Sequence, residues 1–235
     1  MHRWCVGAAA LLLLPAALHG ADGPFQVVVQ GSYTTSSSLF PNPEAPGAVD
    51  RAYSVELEGS LGYGAEIRYA IPSTQVTIGL GAEYIVASSS GRRPITPSAT
   101  RTVPVDDGFE VVPVELTAYL AIPVAGESFG LYMGGGAGAY IGHRTYALAG
   151  VEAPSTGNGT GFGIHVLGGM RWRFVPRVTA FGAMKFRDLQ FESSNVFTVP
   201  AVEYNGLQIP VSQEPFPSRV NTEGIVFQFG VAVSF

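Results

Sequence analysis

The chain has 235 residues, a length for which one domain is the default expectation. Charged residues make up only 13% against 46% hydrophobic, which is apolar for a soluble protein. Acids outnumber bases 18 to 13, which argues against nucleic acid as a partner.

Residues 1–21 read as a secretory signal peptide, with a basic start at Arg3, an apolar core from Ala8 to Leu18 and small residues after it. The apolar run is too short for a membrane-spanning helix. Its removal takes Arg3 and no acid, so residues 22–235 are more acidic still. The single cysteine, Cys5, lies inside it, so the remainder offers neither a disulfide nor a thiolate metal site.

From residue 25 onward the pattern has period 2, the spacing of a strand with two unlike faces. Over 25–33, Gln26, Gln30 and Ser32 oppose an apolar face. Over 53–69, Tyr53, Val55, Leu57, Leu61, Tyr63, Ile67 and Tyr69 share one face, while Glu56, Glu58, Glu66 and Arg68 share the other. A helix would scatter those charges around its circumference. Over 76–86 the polar face carries Thr77 and Glu83. Over 112–122 it carries Glu115, Thr117 and Tyr119. Over 129–141 it is a row of Gly134, Gly136 and Gly138, and over 162–174 it holds His165, Arg171 and Arg173. Over 178–186 the parity that puts Phe181, Lys185 and the following Arg187 on the polar side keeps cations off the apolar face. The last strand, 224–235, alternates Ile225, Phe227, Phe229, Val231, Val233 and Phe235 with small or polar residues, and stops on an aromatic.

The connections alternate in length. Residues 71–75, 123–128 and 175–177 are short; 41–52, 87–108, 147–160 and 187–223 are long. With an even number of strands both termini lie at the short-turn end, and the first strand can close against the last, leaving no exposed edge. Only helices and closed barrels satisfy their backbone groups in lipid. The expected fold is therefore all-β: an eight-stranded antiparallel up-and-down transmembrane β-barrel. Short turns and both termini would be periplasmic and long loops extracellular, in a bacterial outer membrane. No apolar face carries a charge, whereas a soluble barrel with an apolar cavity would invert the pattern. Phe25, Tyr69, Phe129, Trp172, Phe174 and Phe235 fall near the short turns, and Tyr33, Tyr53, Tyr84, Phe162 and Phe186 near the long loops, as two interfacial belts would.

The ending resembles the C-terminal targeting signal of outer-membrane barrels: Gln228, Gly230 two residues later, then Val233 and Phe235 at the third-last and last places. The span of about 24–235 resembles the small outer-membrane proteins of the OmpA, OmpX and OmpW kind. That resemblance implies contact with outer-membrane lipid and lipopolysaccharide, and recognition by the barrel-assembly machinery. The expected oligomeric state is a monomer.

The polar faces then form the barrel interior, which eight strands leave just wide enough for side chains to fill. Glu56, Glu58, Glu66, Glu83 and Glu115, with Arg68, come from strands two to four; Arg171, Arg173, Lys185 and Arg187 come from strands six and seven, roughly opposite. Unpaired buried charge is costly, so these groups are expected to pair across the lumen as a network. The expected role is structural or surface-interacting. The alternative is a narrow porin-like channel for ions or small solutes, for which the inward glycines would leave room. A lipid-modifying enzyme would need a serine beside a histidine, usually with an acid. Of the candidates, His143 falls at the outer rim beside Arg144, and His165 has no neighbouring serine. The reading is therefore no enzyme, no catalytic or metal residues and no cofactor. Among the loops, Arg92, Arg93 and Arg101 are a candidate lipopolysaccharide contact. Asp106 and Asp107 read as a solvated acidic pair. The fourth loop, with Phe197, Val202, Tyr204, Ile209 and Phe216, is too apolar for a disordered tail; a surface hairpin or a cap over the mouth is expected.

Overall fold

The computed structural model describes residues 23–95, 101–123, 128–222 and 224–235; the expected signal peptide lies outside them. The alternating segments form β1 (Phe25–Phe40), a single helical turn α1 (Ala48–Ala52), β2 (Val55–Ala70), β3 (Val76–Pro94), β4 (Thr102–Ile122) and β5 (Phe129–Leu148). A two-residue β6 (Val151–Glu152) precedes β7 (Gly159–Val175) and β8 (Val178–Arg187). The fourth long connection contains β9 (Leu189–Asn195), β10 (Ala201–Tyr204), β11 (Leu207–Pro210) and β12 (Phe216–Thr222), before the closing β13 (Ile225–Ser234).

The long strands pair antiparallel in the order β13-β8-β7-β5-β4-β3-β2-β1, and β13 pairs β1 from Gln26↔Ser234 to Thr34↔Val226. In its lower half the sheet thus returns on itself through eight strands. Towards the long-loop end the ring changes. There β12 replaces β13 beside β1, from Ser38↔Asn221 to Phe40↔Arg219, and β9 pairs β12. Among the described residues no ladder joins β9 to β7, and the sheet counts eleven strands where the sequence pattern shows eight. Strands β3 and β4 also run on through the expected second loop, as far as Pro94↔Thr102.

In place of a ladder, β9 is packed face-on. The carbonyl oxygens of Asp188, Gln190 and Glu192 sit where a Cβ would be on Gly163, Gly161 and Gly159 of β7. Those glycines let one backbone lie directly against another.

One expected facing is overturned. Glu56 is exposed and Leu57 is buried, the reverse of the continuous alternation over 53–69. Gly59, at φ +65°, stands at the break. The ladder keeps its register across this point, with Thr34↔Ser60 and Ser36↔Glu58, but its side-chain parity inverts on both strands, so Ser37 and Leu39 of β1 also turn in. Below Gly59, Ser60, Glu66 and Arg68 face inward.

The outer surface of the ring is an apolar band. Leu61, Ile67, Leu80, Leu116, Ile164, Met170 and Phe229 are all more than half exposed to their surroundings. Between the belts, among the described residues, no outward position is Asp, Glu, Lys or Arg. Phe25 lies 5.0 Å from Tyr69, and Trp172 lies 4.5 Å from Phe174, at the short-turn end. Tyr33, Tyr53, Phe162 and Phe186 are exposed towards the other end.

The interior is layered. Tyr119, Tyr132, Leu167 and Phe181 pack near the short turns. Leu39, Leu57, Ile85, Phe109, Val111, Tyr140, Leu189, Phe191 and Val220 fill the upper lumen. Above them β10 and β11 form a hairpin around the left-handed pair Asn205-Gly206, and Val202 and Ile209 pack with Val103, Val105, Ala153 and Phe197. The fourth connection is thus an ordered cap.

Candidate functional site: the charged layer of the lumen

Period-2 alternation brings Glu83 of β3, Glu115 of β4, His165 of β7 and Lys185 and Arg187 of β8 to the lumen at one level. Strands β3 and β8 are four places apart in the ring, so Glu83 and Arg187 approach across it. Arg187 Nη2 donates to Glu83 Oε2 at 2.6 Å, and Lys185 Nζ donates to Glu115 Oε2 at 2.7 Å. Arg187 Nε is 2.9 Å from Glu115 Oε1. The Ser32 hydroxyl donates to the other oxygen of Glu83. Two carboxylates face two cations, so the layer is neutral as well as buried, the condition under which such charge is tolerated away from water.

A second cluster lies towards the short turns. Arg68 Nε and Nη2 donate to Glu66 Oε2 at 2.9 and 2.7 Å, and the Tyr119 hydroxyl donates to Glu66 Oε1 at 2.7 Å. The Arg68 guanidinium lies 4.3 Å from the centre of the Tyr119 ring and 5.0 Å from that of Phe181. Such stacking satisfies the flat faces of an ion whose edges are hydrogen-bonded.

Of the ten charges expected inside, Glu66, Arg68, Glu83, Glu115, Lys185 and Arg187 make these two clusters. Glu56 is outside the lumen, and the side chain of Glu58 is not among those described. Arg171 and Arg173 face inward on β7 but are exposed at the short-turn mouth, away from both clusters.

His165 has a threonine hydroxyl beside it. Thr117 Oγ1 is 2.9 Å from His165 Nε2, and Glu115 Oε1 is 3.7 Å from Nδ1. The register carries the reason: Thr117 pairs with Gly136, and Gly136 pairs with His165. With no side chain between them, threonine and imidazole meet two strands apart. The order hydroxyl, imidazole, carboxylate is that of a nucleophilic site, but here the imidazole is fully buried and Glu115 is held by two cations. The void in this layer is about 10 Å³, lined by Glu66, Glu83, Glu115, Thr117 and Lys185; it has room for about one water and none for a substrate.

A third buried pair went unread in the sequence. Arg144 Nε and Nη2 donate to Asp107 Oδ1 and Oδ2 at 2.8 and 2.7 Å, and Arg144 stacks 4.5 Å from the Tyr146 ring. Asn195 of β9 donates to the Arg144 carbonyl at 3.0 Å and the Arg144 amide donates to Ser193 at 3.0 Å, so this pair anchors the cap. Asp107 is thus no solvated loop acid; the alternation of β4 continues through it.

The loop arginines are not a single patch. Arg92 Nε donates to Thr102 Oγ1 at 2.8 Å and Nη2 reaches Tyr204 at 3.2 Å. Arg93 turns inward to Asp107 at 3.5 Å, and Arg101 is exposed. At the C-terminus Gln228 is buried in the lumen and Gly230 leaves room for the Phe181 ring. Val233 pairs with Val27 of β1, and the Phe235 amide donates to the Phe25 carbonyl at 2.9 Å, tying the last residue to the first strand. Among the described residues no three metal-ligating side chains come together.

No protein-family model and no curated protein sequence matches the chain. Solved structures do. The outer membrane protein OprG from Pseudomonas aeruginosa is 14% identical with a TM-score of 0.51, the match covering 92% of this chain and 98% of that one. Neisserial surface protein A is 14% identical with a TM-score of 0.47, over 91% and 98%. Ail, the attachment invasion locus protein of Yersinia pestis, is 13% identical with a TM-score of 0.43, over 91% and 99%. At such identity the likeness to OprG bears on the fold alone. With its lipid-suited outer band and sorted loops, the chain has the fold of the small outer-membrane β-barrel proteins.

Proposed function

We propose that the protein is an integral β-barrel of a bacterial outer membrane, with its short turns and termini in the periplasm, and that it works as a closed structural or surface-interaction element and not as a pore or an enzyme. The filling of the lumen carries this reading. Leu189, Phe191 and Val220 of the β9–β12 hairpin close the upper half against Leu39, Ile85 and Phe109, and below them Glu83–Arg187 spans the barrel. Two inward glycine positions are occupied by neighbouring side chains, Gly62 by Ser32 and Glu83 and Gly79 by Glu66, which supports this reading. The ordered cap supports a surface role, since it presents a fixed face of strands and not mobile loops. In this reading Gln228, Gly230, Val233 and Phe235 serve the assembly machinery, and Arg101, exposed and without a side-chain partner among the described residues, meets lipopolysaccharide phosphates.

Planar-bilayer recording tests the closed lumen. The folded protein is expected to give no steady single-channel steps. Steps that change on Glu83→Gln or Lys185→Met would establish a pore instead. For the enzyme question, His165→Ala is expected to leave the lipid A composition of the host unaltered.

A further inference from the structure

At the short-turn end the ring holds a cavity of about 330 Å³, near the lower limit of small-molecule sites. Its floor is the Arg68–Glu66–Tyr119 cluster, which makes it a blind cup. Tyr132 of β5 and Phe181 of β8 supply aromatic wall, and Arg171 and Arg173 of β7 stand at the rim.

The two rim arginines differ from the other inward cations. Arg68, Lys185 and Arg187 each hold a glutamate. Among the described residues neither Arg171 nor Arg173 has an acidic partner. They occupy alternate positions on one strand, so both guanidinium groups address the same side of the cup, while Trp172 and Phe174 between and beyond them face outward. Two cations without an acidic partner among the described residues, set within low-dielectric walls, focus a positive potential on the cup. We propose that the cup binds a small organic anion with a flat apolar body. Its carboxylate or phosphate accepts hydrogen bonds from Arg171 and Arg173, and its ring lies against Tyr132 and Phe181. Guanidinium forks suit both anionic groups, and an aromatic wall suits a planar body.

Calorimetric titration of the protein folded in neutral detergent at low salt tests this, with phenyl phosphate, benzoate, inorganic phosphate and uncharged benzyl alcohol as probes. Phenyl phosphate or benzoate is expected to bind saturably, more tightly than inorganic phosphate, with no binding of benzyl alcohol. Arg171→Gln and Arg173→Gln should each weaken the organic anion about tenfold, while Arg101→Gln leaves it unchanged. Both rim positions are exposed, and a heat-shifted gel band shows that each variant is folded. Absence of binding, equal affinity for inorganic phosphate, or affinity unaltered by the rim variants would overturn the proposal. So would competition by phosphatidylglycerol in nanodiscs, which would assign the arginines to lipid headgroups.

Discussion

Arg187 is the residue on which the central charge layer turns, since it meets Glu83 at 2.6 Å and Glu115 at 2.9 Å. Arg187→Met leaves two buried carboxylates with one lysine between them. Breaking a buried pair from one side costs about 3–5 kcal/mol, and urea unfolding in lipid should show a loss of that size. Replacing both partners of the Arg187–Glu83 pair with apolar residues should cost less than the single change. The sequence showed which side of the chain these groups occupy, and the preference of Lys185 for the lumen set the parity of its strand. Partner choice was beyond it. Thr117 meets His165 only because Gly136 stands between them, and that depends on stagger across two ladders.

At the level of elements, β9 and β12 decide the upper half of the molecule. They are held by backbone contact with Gly159, Gly161 and Gly163, and by the Arg144–Asp107 pair with its Asn195 link. Gly161→Val places a branched side chain on the Gln190 carbonyl, so β9 must lift. Such overpacking costs about 1–3 kcal/mol, and limited proteolysis should cut within 189–222 while the heat-shifted barrel band persists. Arg144→Ala should expose the same segment by leaving the buried Asp107 with the longer 3.5 Å contact to Arg93 in place of its two-pronged pair. These elements were hard to read because the alternation loses contrast above the apolar band. There the outer side of a strand meets water and the inner side meets the cap, and neither demands a uniform face. The Asn205-Gly206 turn was the available local signal for the β10–β11 hairpin. At Gly59 the period itself misled: side-chain facing inverts at this left-handed residue, which moved Glu56 outside and Leu57 into the core.

Seen whole, the molecule is a cylinder with an apolar outer band and a filled interior. The band has a depth profile that substitution can map. Leu116→Arg, in mid-band and more than half exposed, should destabilise the protein in lipid by about 2–4 kcal/mol, and Thr160→Arg at its upper edge by about 0–1 kcal/mol. Equal costs at the two positions would contradict a bilayer around the ring. The same profile explains why the lower ring was readable from residue order: lipid on one side and a polar lumen on the other enforce the period-2 code on every strand.

The sequence by itself therefore determined the strand segments of the lower ring, their outward side, the aromatic belts and the short connections. Each of these is a local consequence of where a side chain can be solvated. Tertiary structure decided which charges meet, how β1 is shared between β13 and β12, and that a folded-in hairpin fills the upper lumen. These depend on register, on one left-handed glycine and on close backbone approach, and such long-range geometry leaves no period in the chain to be read.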